Sequence, residues 1–262
     1  MNKESNLNNK EIIEIPDQVE NNFVPDKSQA EVELLVIKRT GKVWPHYGGK
    51  KALSASTLTK ILREIEYEEI PEYILLKAAE RGKNFHDTIQ NFIQSGDCPS
   101  FVNLTETKQL NKLEKRIHET VNFLKKNKFL KLTNFLSSEK LHHIFYKNEL
   151  LATYVDLEFN DYIVELKTSN IKANGSPLAL LIFEIQLLIQ HLCTGKSVYL
   201  LWSTGEGIIF EEFKSTPHSL KTLDMLIELV RQGDTYSPQM KKAIIQKILN
   251  NYSSPKKLIT SI

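Results

Sequence analysis

The chain has 262 residues, 41% apolar and 25% charged, with a net charge of +2. These proportions suit a soluble globular protein with a sizeable core, and they exclude a collagen-like or wholly disordered chain. Two far-separated cysteines, Cys98 and Cys193, exclude a disulfide framework and a four-cysteine iron–sulfur cluster within the chain.

Residues 1–30 are rich in Asn, Glu and Asp and poor in aromatics, and they read as a disordered polar tail. No signal peptide is read in the polar N-terminus, and a reducing cytoplasm is expected, in a bacterium or a phage-infected host cell. Glu31–Lys38 reads as a strand, followed by a Gly-containing loop, Pro45–Lys50. Ser54 or Ser56 then caps a helix running to about Glu66. Pro71 opens a long helix to about Gln94, and Thr105 opens another ending near Lys128.

Three strand-like segments follow: Phe135–Tyr146, Leu150–Phe159 and Tyr162–Thr168. Ser176-Pro177 caps a nearly all-apolar helix that stops at Gly195. Four polar residues interrupt its apolar run, which reads as too short and too polar to span a bilayer, so no membrane partner is expected. A helix apolar on most sides is expected to be buried. Ser197–Ser203 and Ile208–Lys214 form a second hairpin, and helices at 218–232 and 238–250 close the chain. With no internal repeat and no linker, residues 31–250 read as one α/β (α+β) domain and 251–262 as a loose tail.

The chemistry concentrates in the second and third of those strands. If Asn160-Asp161 is a two-residue hairpin loop, Phe159 pairs with Tyr162 and Asp156 falls opposite Glu165. Lys167 shares their face, because strand side chains alternate with period two. Opposed Cβ atoms lie about 4.5–5.5 Å apart, close enough for two carboxylates to share one hard divalent cation such as Mg²⁺. Equally, these residues with Glu158 read as a solvated face laced by cross-strand ion pairs. The opposite face, Val155, Leu157, Phe159, Tyr162, Val164 and Leu166, is expected to meet the core and hold the register.

Taken in order, these elements resemble the PD-(D/E)XK nuclease superfamily, in particular its RecB-like branch, which includes mitochondrial genome maintenance exonuclease-like and phage-type exonucleases. Asp156 and Glu165-Leu166-Lys167 carry the likeness, with Arg81-Gly82-Lys83-Asn84-Phe85-His86 resembling the branch's Gly-x-x-x-His motif. Gln186 and Gln190 resemble its Gln-x-x-x-Tyr motif, with Gln190 in the tyrosine position, and Thr153 stands where a glycine is frequent. The resemblance spans roughly residues 54–215.

It implies a restriction-endonuclease-like core, a central mixed sheet flanked by helices. It also implies a Mg²⁺- or Mn²⁺-dependent deoxyribonuclease, an exonuclease more than an endonuclease, serving DNA recombination, repair or replication. DNA, single-stranded or at ends, is the implied partner, together with a helicase or recombination protein. A non-catalytic nucleic-acid-binding or assembly module on the same fold is the alternative. Asp156 and Glu165 are the implied metal ligands, joined by the Leu166 carbonyl and by His86, whose nitrogen favours Mn²⁺ over Mg²⁺. Lys167 is expected to steer the attacking water and offset developing charge.

Four substrate-side residues complete this set: Gln186, Ser56 at a helix start, Thr168 beyond the lysine, and Lys50 in the glycine loop. Glu139 reads as a metal-positioning carboxylate or an edge-strand surface charge. Gln186 and Gln190 read as active-site contacts or as amides bonded to the sheet edge. Trp202, Tyr199 and Phe210 are expected in the core.

Overall fold

The computed structural model describes residues 32–37, 42–97, 99–100, 110–127, 132–169, 176–232 and 235–251. The expected N-terminal tail, Cys98, the helix start at Thr105 and the C-terminal tail beyond Asn251 lie outside them.

β1 (Glu33–Val36), β2 (Val43–Tyr47) and β3 (Lys50–Lys51) form a small antiparallel sheet. The segment expected as a loop from Pro45 is therefore mostly strand. Gly48 and Gly49 adopt φ of 54° and 73°, and this tight left-handed turn folds the segment into a hairpin. After β4 (Leu53–Ser54), the single helix expected to Glu66 is divided into α1 (Ala55–Leu58) and α2 (Lys60–Glu66). The division falls at Thr59, whose hydroxyl donates to the Ala55 carbonyl at 2.7 Å.

α3 (Glu72–Ser95) ends at Gly96 in the left-handed conformation. α4 (Lys112–Lys126) starts at a capping box formed by Asn111 and Glu114. β5 (Phe135–Tyr146) and β6 (Glu149–Phe159) are joined through Lys147 and Asn148, both at positive φ. β7 (Tyr162–Thr168) follows through the predicted Asn160-Asp161 loop. α5 (Pro177–Thr194), β8 (Ser197–Ser203), β9 (Ile208–Phe213), α6 (Pro217–Gln232) and α7 (Pro238–Asn251) complete the order.

The main sheet runs β4-β6-β7-β8-β9, with β5 also paired to β6. It is mixed: β4 is parallel to β6 and β7 to β8, while the other pairs are antiparallel. The chain is thus a mixed α/β protein with a central mixed sheet flanked by helices.

On one face, Phe85, Ile89, Phe92 and Ile93 of α3 and Ile117, Val121 and Leu124 of α4 pack on Leu157, Phe159, Val164 and Leu166. On the other, α5 packs Leu180 and Leu187 against Val155, Ile163 and Val198. α5 is in turn covered by Leu58, Leu62, Leu223, Leu226 and Ile245 of the surrounding helices. This double coverage explains why it is apolar nearly all round. By length and composition α5 does pass as a bilayer-spanning segment, contrary to the expectation from sequence. In the fold it is a core helix.

Two expectations about the hairpin change. Its charged face is not wet, because helices cover both sides of the sheet: Glu165 is 1% exposed and Glu158 2%. Val155 also leaves the face of Leu157 and joins Ile163 beneath α5.

Candidate active site

The site forms where β6 and β7 part. On the β6 edge facing away from β5, β4 pairs at Leu151 and Ala152, and β7 at Leu157 and Glu158. Asp156 lies in the interval between them. The register Leu157↔Val164 and Glu158↔Ile163 places Asp156 opposite Glu165, as the hairpin predicts. Here a side chain substitutes for the backbone ladder: Asp156 Oδ2 accepts the Leu166 N–H at 2.8 Å.

Glu165 is enclosed by donors. Lys167 Nζ and Gln186 Nε2 both reach its Oε1. Gln190 Nε2 donates to its Oε2 at 2.5 Å. The two glutamines sit one turn apart on α5, so a single helix face delivers both amides. Gln190 therefore contacts the site, and the same Nε2 lies 3.4 Å from the Tyr154 carbonyl of β6, so the sheet-edge contact read from the sequence is present as well. Its Oε1 is buried and has no hydrogen-bond partner among the described residues. Lys167 Nζ also lies 5.8 Å from the centre of the Phe183 ring.

The two carboxylates titrate in opposite directions. Burial raises the Glu165 pKa and the charge of Asp156 raises it further, against Lys167 and Gln190. Burial also opposes ionisation of Asp156, but His86, Lys167 and the Leu166 N–H outweigh it and hold its pKa below the usual range. For Lys167, burial works against the ammonium, yet Glu165 and Asp156 prevail and raise its pKa. His86 follows the same logic, with Asp156 prevailing over burial. Neighbouring acids held apart in this way are a signature of functional sites, although structural ion pairs produce it too.

His86, on α3, presents Nδ1 3.4 Å from Asp156 Oδ1. One turn further on, Gln90 Nε2 lies 3.4 Å from the Asp156 carbonyl, a residue that helical spacing from His86 would have found. Asp156, Glu165, Lys167, His86 and Gln186 are thus brought together, and Leu166 joins them through its backbone.

The other expected residues fall elsewhere. Lys50 is exposed on β3 of the small sheet, and Ser56 Oγ is bonded to Ser54 Oγ at 2.8 Å. Neither has a described contact with the carboxylates. Thr168 accepts from Arg116 Nη1 at 3.0 Å, a partner that sequence reasoning missed because α4 is distant in the chain. Glu139 falls opposite Asp156 on β5 but adopts φ of 49° and pairs with Lys42 at 2.8 Å. Trp202 is buried, whereas Tyr199 and Phe210 are only partly buried, stacked on each other at the margin of the α3 and α4 cluster.

Two carboxylates, an imidazole and a backbone carbonyl are a donor set suited to Mg²⁺ or Mn²⁺. Among the described residues, no group of three or more His, Cys, Asp and Glu side chains is already disposed to hold a metal ion. Asp156 faces His86 and a backbone N–H, and Glu165 faces three side-chain donors.

No protein-family model matches the chain, and no curated protein matches it. Among solved structures, it is similar to the protein SSO0001, at 14% identity and a TM-score of 0.40, covering 78% of this chain and 87% of that one. It is also similar to a provisionally named exonuclease from Eubacterium rectale, at 11% identity and a TM-score of 0.39, covering 76% and 81%. Likeness at this level decides nothing about the chain, whose functional reading rests on the site.

Proposed function

We propose that this protein is a divalent-cation-dependent nuclease with a restriction-endonuclease-like core, hydrolysing phosphodiester bonds in DNA, and that it works as an exonuclease. The observation that carries this reading is the meeting of Asp156, Glu165 and Lys167 at the split between β6 and β7, with His86 and Gln186 beside them. Asp156, Glu165, the Leu166 carbonyl and His86 would hold Mg²⁺ or Mn²⁺. When bound, such an ion polarises a phosphate and lowers the pKa of its water.

The chain's own residues supply the rest. Lys167 carries a positive charge at the edge of a largely buried site, where it offsets charge on a phosphoryl oxygen more strongly than in water. Gln186 and Gln190 orient Glu165 by donating to its oxygens, and Gln190 opposes the rise of its pKa. Asp156, with its lowered pKa, stays anionic, and its bond to the Leu166 N–H fixes its rotamer.

A non-catalytic nucleic-acid-binding module is favoured by one observation: both Glu165 oxygens are already taken by protein donors.

Digestion of end-labelled linear single- and double-stranded DNA beside a closed circle, with Mg²⁺, Mn²⁺ or EDTA, tests the reading. Metal-dependent loss of linear DNA alone, absent in Lys167→Ala, is expected. Cutting of the circle makes the protein an endonuclease. No cleavage by folded protein under either metal favours the binding module or a nuclease that needs a helicase or recombination partner.

A further inference from the structure

One aromatic side chain reaches from the core to the site. Phe183 of α5 is half-buried and packs at the margin of the cluster that holds Trp202, Leu200 and Ile163. Lys167 and Trp202 are register partners on the parallel strands β7 and β8, so their side chains stand side by side on one face of the sheet. Phe183 touches both. Its ring centre lies 5.5 Å from that of Trp202, edge to face at 84°, and 5.8 Å from Lys167 Nζ. Trp202 is 2% exposed, and its Nε1 donates to Ser169 Oγ at 2.8 Å. The ring that backs Phe183 is therefore held in place.

Phe183, Gln186 and Gln190 follow one another at i, i+3 and i+7 on α5, so they share one helix face. The two amides meet Glu165, and the ring comes one turn before them. Lys167 has its counter-charge in Glu165 and does not depend on the ring for one. The ring stands by the carboxyl ends of β7 and β8, where open α/β sheets receive ligands.

A phosphodiester that faces Lys167 brings its nucleosides with it. Every nucleobase has a π-face, and aromatic side chains beside a cationic group are the common platform for it. In a duplex that face is already stacked and paired. A single strand offers it freely. We propose that Phe183 stacks on an unpaired base of the substrate strand, next to the phosphate that Lys167 faces, and so selects single-stranded DNA or unpaired ends over paired duplex. This assignment rests on the nuclease reading above. Phe183 binds the substrate and takes no part in breaking the bond.

The test is fluorescence anisotropy of two labelled oligomers of equal length binding to the full chain in EDTA: oligothymidylate, and the same backbone with abasic residues throughout. A blunt duplex is the third probe. Wild type is expected to prefer oligothymidylate over both. Phe183→Ala and Phe183→Leu should each weaken oligothymidylate binding by about tenfold or more and leave abasic binding nearly unchanged. Phe183→Trp should restore the preference. Phe183→Leu keeps an apolar side chain in the core and removes the π-face, so it carries the test if Phe183→Ala does not fold. In Mg²⁺ the same variants should raise KM on oligothymidylate with kcat little changed, and that comparison serves if EDTA abolishes binding.

A ratio of thymidylate to abasic affinity equal to wild type in Phe183→Leu and Phe183→Ala would overturn the stacking role. Equal weakening on both oligomers would assign Phe183 to packing alone and overturn it too. A duplex bound as tightly as the single strand would overturn the selection for unpaired bases. Cleavage by wild type with unchanged base preference in the variants removes the stacking alone. Neither cleavage nor binding of any probe by folded wild type removes both ideas.

Discussion

The carboxylate of Asp156 is hydrogen-bonded to the backbone N–H of Leu166, across a hairpin whose ladder ends one residue earlier. One side chain therefore closes the sheet and, on the proposed reading, faces the substrate. The two roles can be separated by substitution.

Asp156→Asn keeps an acceptor for the Leu166 N–H and removes the charge, so cleavage should vanish with little change in melting temperature. Asp156→Ala should also cost about 1–3 kcal/mol, because it leaves a buried N–H unpaired. Thermal melts beside a digestion assay check both. Digestion by Asp156→Asn at the wild-type rate would remove Asp156 from the chemistry.

Gln190→Leu takes away the donor to Glu165 Oε2. Losing a hydrogen bond to the ionised form raises a carboxyl pKa. The acid limb of the rate profile should therefore move to higher pH, with a stability loss of about 1–3 kcal/mol. A kcat/KM profile that does not move would mean that Gln190 only packs.

His86 tests the metal assignment. In His86→Ala the Mn²⁺ concentration for half-maximal cleavage should rise more than that for Mg²⁺, since nitrogen favours the former. Titration of the rate with each metal decides it. Two unmoved curves would leave His86 as an ion-pair partner of Asp156 only.

Glu158 predicts a pH effect unconnected with cleavage. Burial opposes its ionisation, but Lys196 and Lys140, each 2.9 Å away, win and bring its pKa from 4.5 to about 2. A depressed carboxyl contributes stability that is present above the unfolded pKa and lost as pH falls through the folded one. The loss should therefore develop as pH drops from 4.5 towards 2, and amount to on the order of 1–2 kcal/mol after solvent screening. Urea midpoints against pH should show it in wild type and a flatter curve in Glu158→Gln.

The hairpin was legible because its information is local. Alternation with period two, a two-residue Asn-Asp loop and apolar partners on one side set the pairing of Asp156 with Glu165 before any tertiary contact is known. The helix stop at Gly195 is local in the same way, being a backbone geometry that few residues satisfy, whereas the cap at Asn111 was missed, the helix having been expected to open at Thr105. Thr59 was not legible, since its hydroxyl competes for a helical carbonyl in a stretch with otherwise ordinary helical periodicity.

The burial of Glu165 could not be read from its strand. An acidic residue alternating with apolar ones has the same pattern whether it meets water or two amides on a helix packed over it. Periodicity names the face and leaves its neighbour unspecified. The sequence by itself determined the β6–β7 hairpin, its register and the carboxylate pair, because hydrogen-bonded pairing across a short turn depends only on residues close in the chain. Tertiary structure alone decided that α5 would cover that pair and that α4 would bring Arg116 to Thr168. Those contacts join segments tens of residues apart, and they follow from how apolar helix faces are buried against a sheet covered on both sides.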